Sequence, residues 1–330
     1  MKNFLRNKKK LMIVVMLLLV TLVGCGSPRG KSGKTYLDQV ITMEKTTITK
    51  NDIEIKENSE EFKKYENYTD DQIIEIEKTT FKDMMDEGWF SAIVIYPIAQ
   101  LINIIASFTD AGIGIIAVTF LIQLLVFVFS IRSQVATQKM QLIQPELKKI
   151  QAKYAGKTDE RSQMAQAQEM QNLYAKHKIN PFGTIIVTFI QLPIILGMYQ
   201  ATMRAYSVLT GSFMGIQLSN TPMWGFKNLQ IAYIVVFLLM VLFQFLSMKT
   251  PQWLQERHKK QAKIKEKKYL KQDNSGMPNP NTMNYMMVAM VALFAINWPL
   301  AMSFYWLVGS VFRVVQSLVI DKFFMNKKEG

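Results

Sequence analysis

A single cysteine, Cys25, among 330 residues excludes a disulfide within the chain. Histidine is nearly as scarce. His177 and His258 are isolated, without the spacing that two ligands of one metal need, and both read as solvated surface residues. Charge is missing over long stretches. From Thr282 to Ile320 there is no Asp, Glu or Lys; the run turns at Asn297-Trp298-Pro299 and carries one charge, Arg313. No apolar run holds a cluster of His, Asp, Glu or Cys, which argues against an intramembrane enzyme. The two halves also lack the paired Gly/Pro-broken spans of an inverted-repeat transporter. An enzyme, a cofactor, a bound metal and a small-molecule substrate are therefore not expected. A small-solute transporter or channel is the alternative function that the sequence leaves.

What the chain does have is hydrophobicity at 49% beside a net charge of +14. Lys and Arg must be concentrated between the apolar runs, as in a membrane protein with basic loops. Residues 1–24 read as a lipoprotein signal peptide: five basic residues, then a 13-residue apolar core from Leu11 to Val23, too short to span comfortably. It ends at Leu22-Val23-Gly24-Cys25, which resembles a bacterial lipobox. Cys25 is then the lipidation site, carrying acyl (palmitate-type) chains outside the cell membrane.

Residues 25–88 are expected to be a lipid-anchored extracytoplasmic tether, with a helix over Asp70 to Asp86 begun by Thr69. Residues 89–110 are uncharged from Trp89 to Thr109, but Gln100, Asn103 and Ser107 form a polar stripe and Pro97 interrupts. This segment is expected to be an interfacial helix on the outer surface. If it crossed, loop 132–180, with nine Lys/Arg against four Asp/Glu, would lie outside, contrary to the positive-inside rule.

The spans are placed at 112–131 (TM1), 182–203 (TM2), 229–248 (TM3), 283–298 (TM4) and 300–320 (TM5). Arg204, at the outer end of TM2, is placed to reach the headgroups. Residues 132–180 form a cytoplasmic helical hairpin whose seam is Met140, Ile143, Leu147, Ile150 and Tyr154 at 3/4 spacing. The hairpin is either a spacer or a dock for a ribosome or an incoming chain. The basic loop 249–281, with nine Lys/Arg against two Glu over 249–271, and the tail 321–330 are cytoplasmic.

This order, with the local runs Ile116 to Leu125, Met140 to Leu147, Tyr174 to Phe182, Phe189 to Met198, Phe304-Tyr305-Trp306 and Val315-Gln316-Ser317, resembles the YidC-type insertases of the Oxa/Alb superfamily in their five-span Gram-positive form. The resemblance covers residues 85–325. It implies an all-α polytopic membrane protein of five transmembrane helices around a hydrophilic groove open to cytoplasm and lipid. It also implies a membrane protein insertase or chaperone whose partners are nascent membrane proteins and membrane lipid, with the Sec translocon and the ribosome as further candidates. The family's groove arginine falls on Gln123, which is neutral, and Trp306 matches a groove-facing aromatic position. Arg313 follows Trp306 by seven residues, about 700° of helix, so the two share a face. Arg313 lies roughly 20 Å from Pro299 and roughly 10 Å from Asp321, at a depth where a charge costs about 2.5–3.5 kcal/mol. Two readings of it compete: it supplies the groove charge, with Gln123 and Thr119 on the same wall, or it snorkels to cytoplasmic headgroups.

Overall fold

The computed structural model describes residues 27–57, 59–157, 159–179, 181–261 and 280–325. The signal peptide, the lipidation site Cys25, the basic loop from 262 to 279 and the tail from 326 lie outside the described residues. The short strands are β1 (Thr35–Tyr36), β2 (Thr46–Thr49), β3 (Ile53–Glu54), β4 (Ile73–Ile76), β5 (Ser212–Phe213) and β6 (Ile216–Gln217). They pair two by two, β1 with β3, β2 with β4 and β5 with β6. The rest is helix: α1 (Glu60–Tyr65), α2 (Phe81–Glu87), α3 (Tyr96–Phe108), α4 (Ala111–Leu142), α5 (Gln144–Tyr154), α6 (Glu160–Lys176), α7 (Pro181–Arg204), α8 (Tyr206–Thr210), α9 (Pro222–Lys227), α10 (Ile231–Gln261), α11 (Pro280–Asn297) and α12 (Leu300–Ile320).

This is an all-α polytopic membrane protein. Among the described residues four helical segments are long and apolar enough to cross a membrane: Ser91–Phe108, Ala111–Leu142, Ile231–His258 and Leu300–Phe324. The first of these is the segment expected along the surface. Its Pro97 does not interrupt it but sits in the first turn of α3, behind a π-helical turn at Ser91–Ile95, where its missing N–H needs no partner. The described residues fall into two compact units. One comprises Met1–Leu121, Phe189–Leu238 and Ala295–Val308; the other comprises Ile122–Thr188, Leu239–Phe294 and Gly309–Gly330.

In the first unit, residues 27–88 of the segment expected to be a tether carry strands and a core of their own. Thr46-Thr47-Ile48-Thr49 and Ile73-Ile74-Glu75-Ile76 are β-branched runs, and they pair antiparallel with Ile48 opposite Ile74. The helix expected over 70–86 is replaced by β4 and the shorter α2, because Ile73, Ile74 and Ile76 pack better on a pleated strand. The helix start is Thr80, not Thr69. Thr80 and Asp83 form a reciprocal capping box, with the Asp83 N–H donating to Thr80 Oγ1 at 3.3 Å and the Thr80 N–H donating to Asp83 at 2.8 Å. Val40, Ile48, Ile53, Tyr65 and Ile74 are buried together with Leu209 of α8, which sets a hydrophobic core where composition alone showed only polarity.

Backbone bonds tie this segment to the helices that follow. The Ile41 N–H donates to Arg204 O at 2.7 Å, and the Tyr206 N–H donates to Ile41 O at 3.1 Å. Of the polar stripe of α3, Gln100 and Asn103 face these neighbours, while Ser107 is exposed and its hydroxyl donates to Ile104 O of the same helix. Gln100 donates to Thr42 O at 2.9 Å, while Asn103 donates to Ile41 O and accepts from the N–H and hydroxyl of Ser207. Arg204, expected to reach outward, is likewise turned into the protein. Its side chain is 3% exposed, bonded to Gln39 O and doubly to Glu87.

In the second unit the hairpin closes on its apolar seam. Ile143, Leu147, Leu173 and Ile179 are buried, with Met140, Ile150, Met170 and Tyr174 packed against them. Met140 lies on the last turn of α4, Ile143 at the break, and Leu147 and Ile150 on α5. Pro145 in the first turn of α5 fits the break, and Gly156 turns the chain at φ +77° before Asp159 caps α6. Tyr154 is at the tip: its hydroxyl donates to Glu169 at 2.9 Å, between Lys153 and Lys157. His177 is not a simple surface residue, since Nε2 lies 3.5 Å from Glu146 and is buried. His258 pairs with Asp321 at 2.5 Å.

Candidate functional site

The second unit carries a seam of polar side chains on otherwise apolar helices. On α4, Gln123, Ser130, Gln134 and Gln138 recur at intervals of seven and four, which puts them on one face. Gln134 donates to Ser130 Oγ at 2.6 Å and its oxygen accepts from Gln316 of α12; Gln138 donates to Ser317 O at 3.5 Å. Polar groups removed from water need such partners, since leaving one unmade costs about 1–3 kcal/mol.

Arg313 sits in this seam, half-buried. Its Nη2 donates to Gln244 Oε1 of α10 at 2.7 Å and to Ser310 Oγ at 2.8 Å, and the Ser310 hydroxyl donates to the same Gln244 oxygen at 2.6 Å. Arginine only donates, so the Gln244 atom facing it is the amide oxygen. Ser310 is one turn back toward Leu300, the direction in which helical side chains lean. The guanidinium is therefore aimed away from the Asp321 end of α12. Gly309 is the contact point with Gln123: a Cβ there would lie 3.1 Å from Gln123 Nε2 and 3.5 Å from Arg313 Nη1. Gln123 is buried.

Gln123 and Arg313 thus meet at one glycine. Thr119 and Trp306 belong to the other unit and have their own partners. The Thr119 hydroxyl is fully buried and donates to Ile115 O at 2.6 Å, within its own helix. Trp306 is buried, stacked on Trp298 at 5.4 Å, and Trp298 meets Tyr199 at 4.2 Å. Gln191 donates to the Tyr305 hydroxyl at 3.3 Å. The sequence reading missed Gln244, Ser310, Gln134 and Gln316. The available signal was the spacing on α4 and a lone glutamine in the apolar run Phe237 to Met248.

The arrangement contains a positive charge bonded to an amide on α10 and to a hydroxyl one turn away on its own helix. It is suited to holding and releasing an acidic or carbonyl-bearing chain without covalent chemistry.

Comparison with known proteins gives this seam a lineage. The sequence model of the family described as 60Kd inner membrane protein matches residues 103–328. The chain belongs to that family. Among curated members, it is 30% identical over 229 residues to the membrane protein insertase MisCA of Bacillus subtilis, covering 69% of this chain and 77% of that one. It is 30% identical over 244 residues to membrane protein insertase YidC 2 of Listeria innocua, covering 73% and 75%. It is 31% identical over 251 residues to membrane protein insertase YidC of Oceanobacillus iheyensis, covering 73% and 87%. The 60Kd match contains all of α4, α10 and α12, hence every residue of the seam. It begins within α3, so the folded segment 27–88 precedes it.

Proposed function

We propose that this chain is a membrane protein insertase and chaperone of the cell membrane. It receives nascent membrane proteins at the polar seam of α4, α10 and α12 and releases their apolar segments into the bilayer. The names of its relatives support the class. The observation that supports the mechanism is Arg313, a charge within an apolar helix that is bonded to Gln244 and Ser310 and directed away from the Asp321 end of α12. A wet, positively charged seam shortens the distance a polar segment must cross in hydrocarbon and attracts acidic residues in transit. On this reading the groove charge has moved from Gln123 on TM1 to Arg313 on TM5, with Gln123 still beside it.

The same reading places five spans at 112–131, 182–203, 229–248, 283–298 and 300–320, with 89–110 on the outer surface and the C-terminus in the cytoplasm. The basic hairpin is a dock for the ribosome or the incoming chain, and the Sec translocon is a candidate partner. Cys25 carries the lipid anchor outside, and mass spectrometry of the mature N-terminus reads that directly: an unmodified Cys25 would sink the anchor.

An insertion assay tests the mechanism. Arg313→Ala is expected to lower client insertion at unchanged protein level, and Gln123→Arg in that background to restore it. Full insertion by Arg313→Ala would remove the relocated charge.

A further inference from the structure

A buried arginine that the insertion mechanism does not use lies ahead of the stretch 103–328 shared with the family. The chain around it forms a tight turn of two short arms. The Tyr36 N–H donates to Pro28 O at 2.8 Å, the Gly30 N–H donates to Lys34 O at 3.0 Å, and Arg29 stands opposite Thr35. Gly33, at φ +81°, turns the tip, and the tip amides of Lys31 and Ser32 donate to the Glu54 carboxylate at 2.9 and 2.8 Å. Each arm sends one side chain to a helix end. The Thr35 hydroxyl is buried and donates to Met203 O, at the end of α7, at 2.7 Å. Arg29 Nη2 donates to Ser219 O at 3.0 Å. That carbonyl is the middle one of three. Leu218 O accepts from the Ala301 N–H at 3.1 Å and Asn220 O from the Leu300 N–H at 2.8 Å, which satisfies the first amides of α12. The turn thus staples the end of α7 to the cap of α12.

Of the two staples, Arg29 is the costly one. Its Nε is buried without a hydrogen-bond partner, its acceptor is a neutral carbonyl, and no carboxylate pairs with it among the described residues. Burial lowers its pKa from the ordinary arginine value, and Tyr199 of α7 offsets this only in part. A desolvated charge without a counter-charge costs more than one such bond returns, whereas in water all its donors are met. An apolar side chain of similar length would close the turn on the helices more firmly.

We propose that residues 28–36 are a strap across the ends of α7 and α12 that opens for the translocated segment of a client, and that Arg29 sets how readily it opens. On the proposed topology these ends lie outside the membrane, where such a segment emerges. The occupant rests on the insertase reading; the opening itself is a property of the free protein. Closed, the strap holds residues 218–220 on the first turn of α12. Open, Arg29 regains its water and those residues are freed on one side. A short tail needs little room, whereas a long polar tail passes only while the strap is open.

The test uses the full chain in proteoliposomes. Hydrogen exchange of the Leu300 and Ala301 amides, without client, reads the opening. The ratio of protease-protected long-tailed client to the same client with a short tail reads its consequence. Arg29→Met removes the charge at similar length. It should slow exchange at both amides about tenfold and lower the ratio by a similar factor, on the scale of one orphaned buried polar atom. Thr35→Val removes the other staple at nearly the same shape and should act oppositely, with faster exchange and a ratio no lower than wild type. An Arg29→Met protein whose two amides exchange as fast as wild type, or faster, overturns the proposal, and so does slowed exchange with the wild-type ratio. If Arg29→Met does not accumulate, Thr35→Val decides, and unchanged exchange overturns it. Wild-type protein that inserts neither client sinks the insertase reading and takes the client out of this proposal, while the exchange result still stands or falls by itself. Failure of the Arg29 and Thr35 variants with both clients inserted by wild type leaves the insertase reading intact.

Discussion

Arg204 and Glu87 form a two-pronged ion pair, at 2.9 and 2.7 Å, between the end of α7 and the end of α2. The guanidinium side is enclosed, 3% exposed, while the carboxylate is one-third open at 33%. Gln39 O takes a third guanidinium bond at 2.8 Å. Removing one partner of such a pair leaves a charge without compensation, and that loss exceeds what the pair itself contributes.

Glu87→Gln should therefore destabilise the first unit by about 3 kcal/mol, the lower end for a buried pair because Glu87 is partly solvated. Replacing both residues with leucine should recover much of it. Thermal unfolding of the detergent-solubilised full chain measures both, and equal losses in the single and double variants would contradict the assignment.

The Asp83 carboxyl is held below the ordinary aspartate range by the backbone N–H of Thr80 first and by its hydroxyl second, with a smaller opposing contribution from burial. A folded-state value below the unfolded one stabilises above the unfolded value and is lost as pH falls through the folded one. Amide protection of the first turn of α2 should thus decline in acid, and Asp83→Asn should flatten that pH dependence. Hydrogen exchange across pH 3 to 7, about the range in which aspartate titrates, reads it.

A side chain at Gly309 is predicted to press on Gln123. An added Cβ would approach Gln123 Nε2 at 3.1 Å and Arg313 Nη1 at 3.5 Å. Gly309→Val should displace one of the two, costing about 1–3 kcal/mol in overpacking and reducing insertion as Arg313→Ala does. Normal insertion by Gly309→Val would show that Gln123 and Arg313 need not share this point.

In the hairpin, Leu147→Ala should cost about 2–5 kcal/mol of local stability, since its side chain is buried with Ile143, Leu173 and Ile179. Exchange protection over α5 and α6 should fall. If the hairpin is a dock, insertion falls with it; if it is a spacer, insertion persists despite the loosened seam.

The apolar runs and the hairpin seam could be read from the sequence because their signals are local: uninterrupted hydrophobicity, and apolar residues three and four apart. The folded segment 27–88 could not. Its strands run two to four residues, too short for an alternating pattern, and its core is completed by Leu209. Arg204 was misplaced for the same reason, its partner Glu87 standing 117 positions away in sequence. In the seam, Arg313 drew notice as the one charge in an apolar run. Gln244 and Ser310 did not, because single neutral polar residues in spans look unremarkable until a neighbouring helix gives them a partner. The stripe on α3 was visible, but its direction was set by Ile41, Thr42 and Ser207, which periodicity cannot name.

The bond from Arg204 to Gln39 O closes a loop of 165 positions, and this bears on how the chain is made. The ribosome releases Gln39, Ile41 and Glu87 long before it reaches Arg204. At about 5–20 residues per second the interval is roughly ten to thirty seconds. Throughout it, β1 to β4 and α2 have no α7 or α8 to pair with, and Leu209 has not yet been added to their core. Residues 27–88 are therefore made before α7 and α8 and are completed only when those helices arrive. A newly made copy passes through a stage in which it is itself an unfinished membrane protein awaiting its later helices.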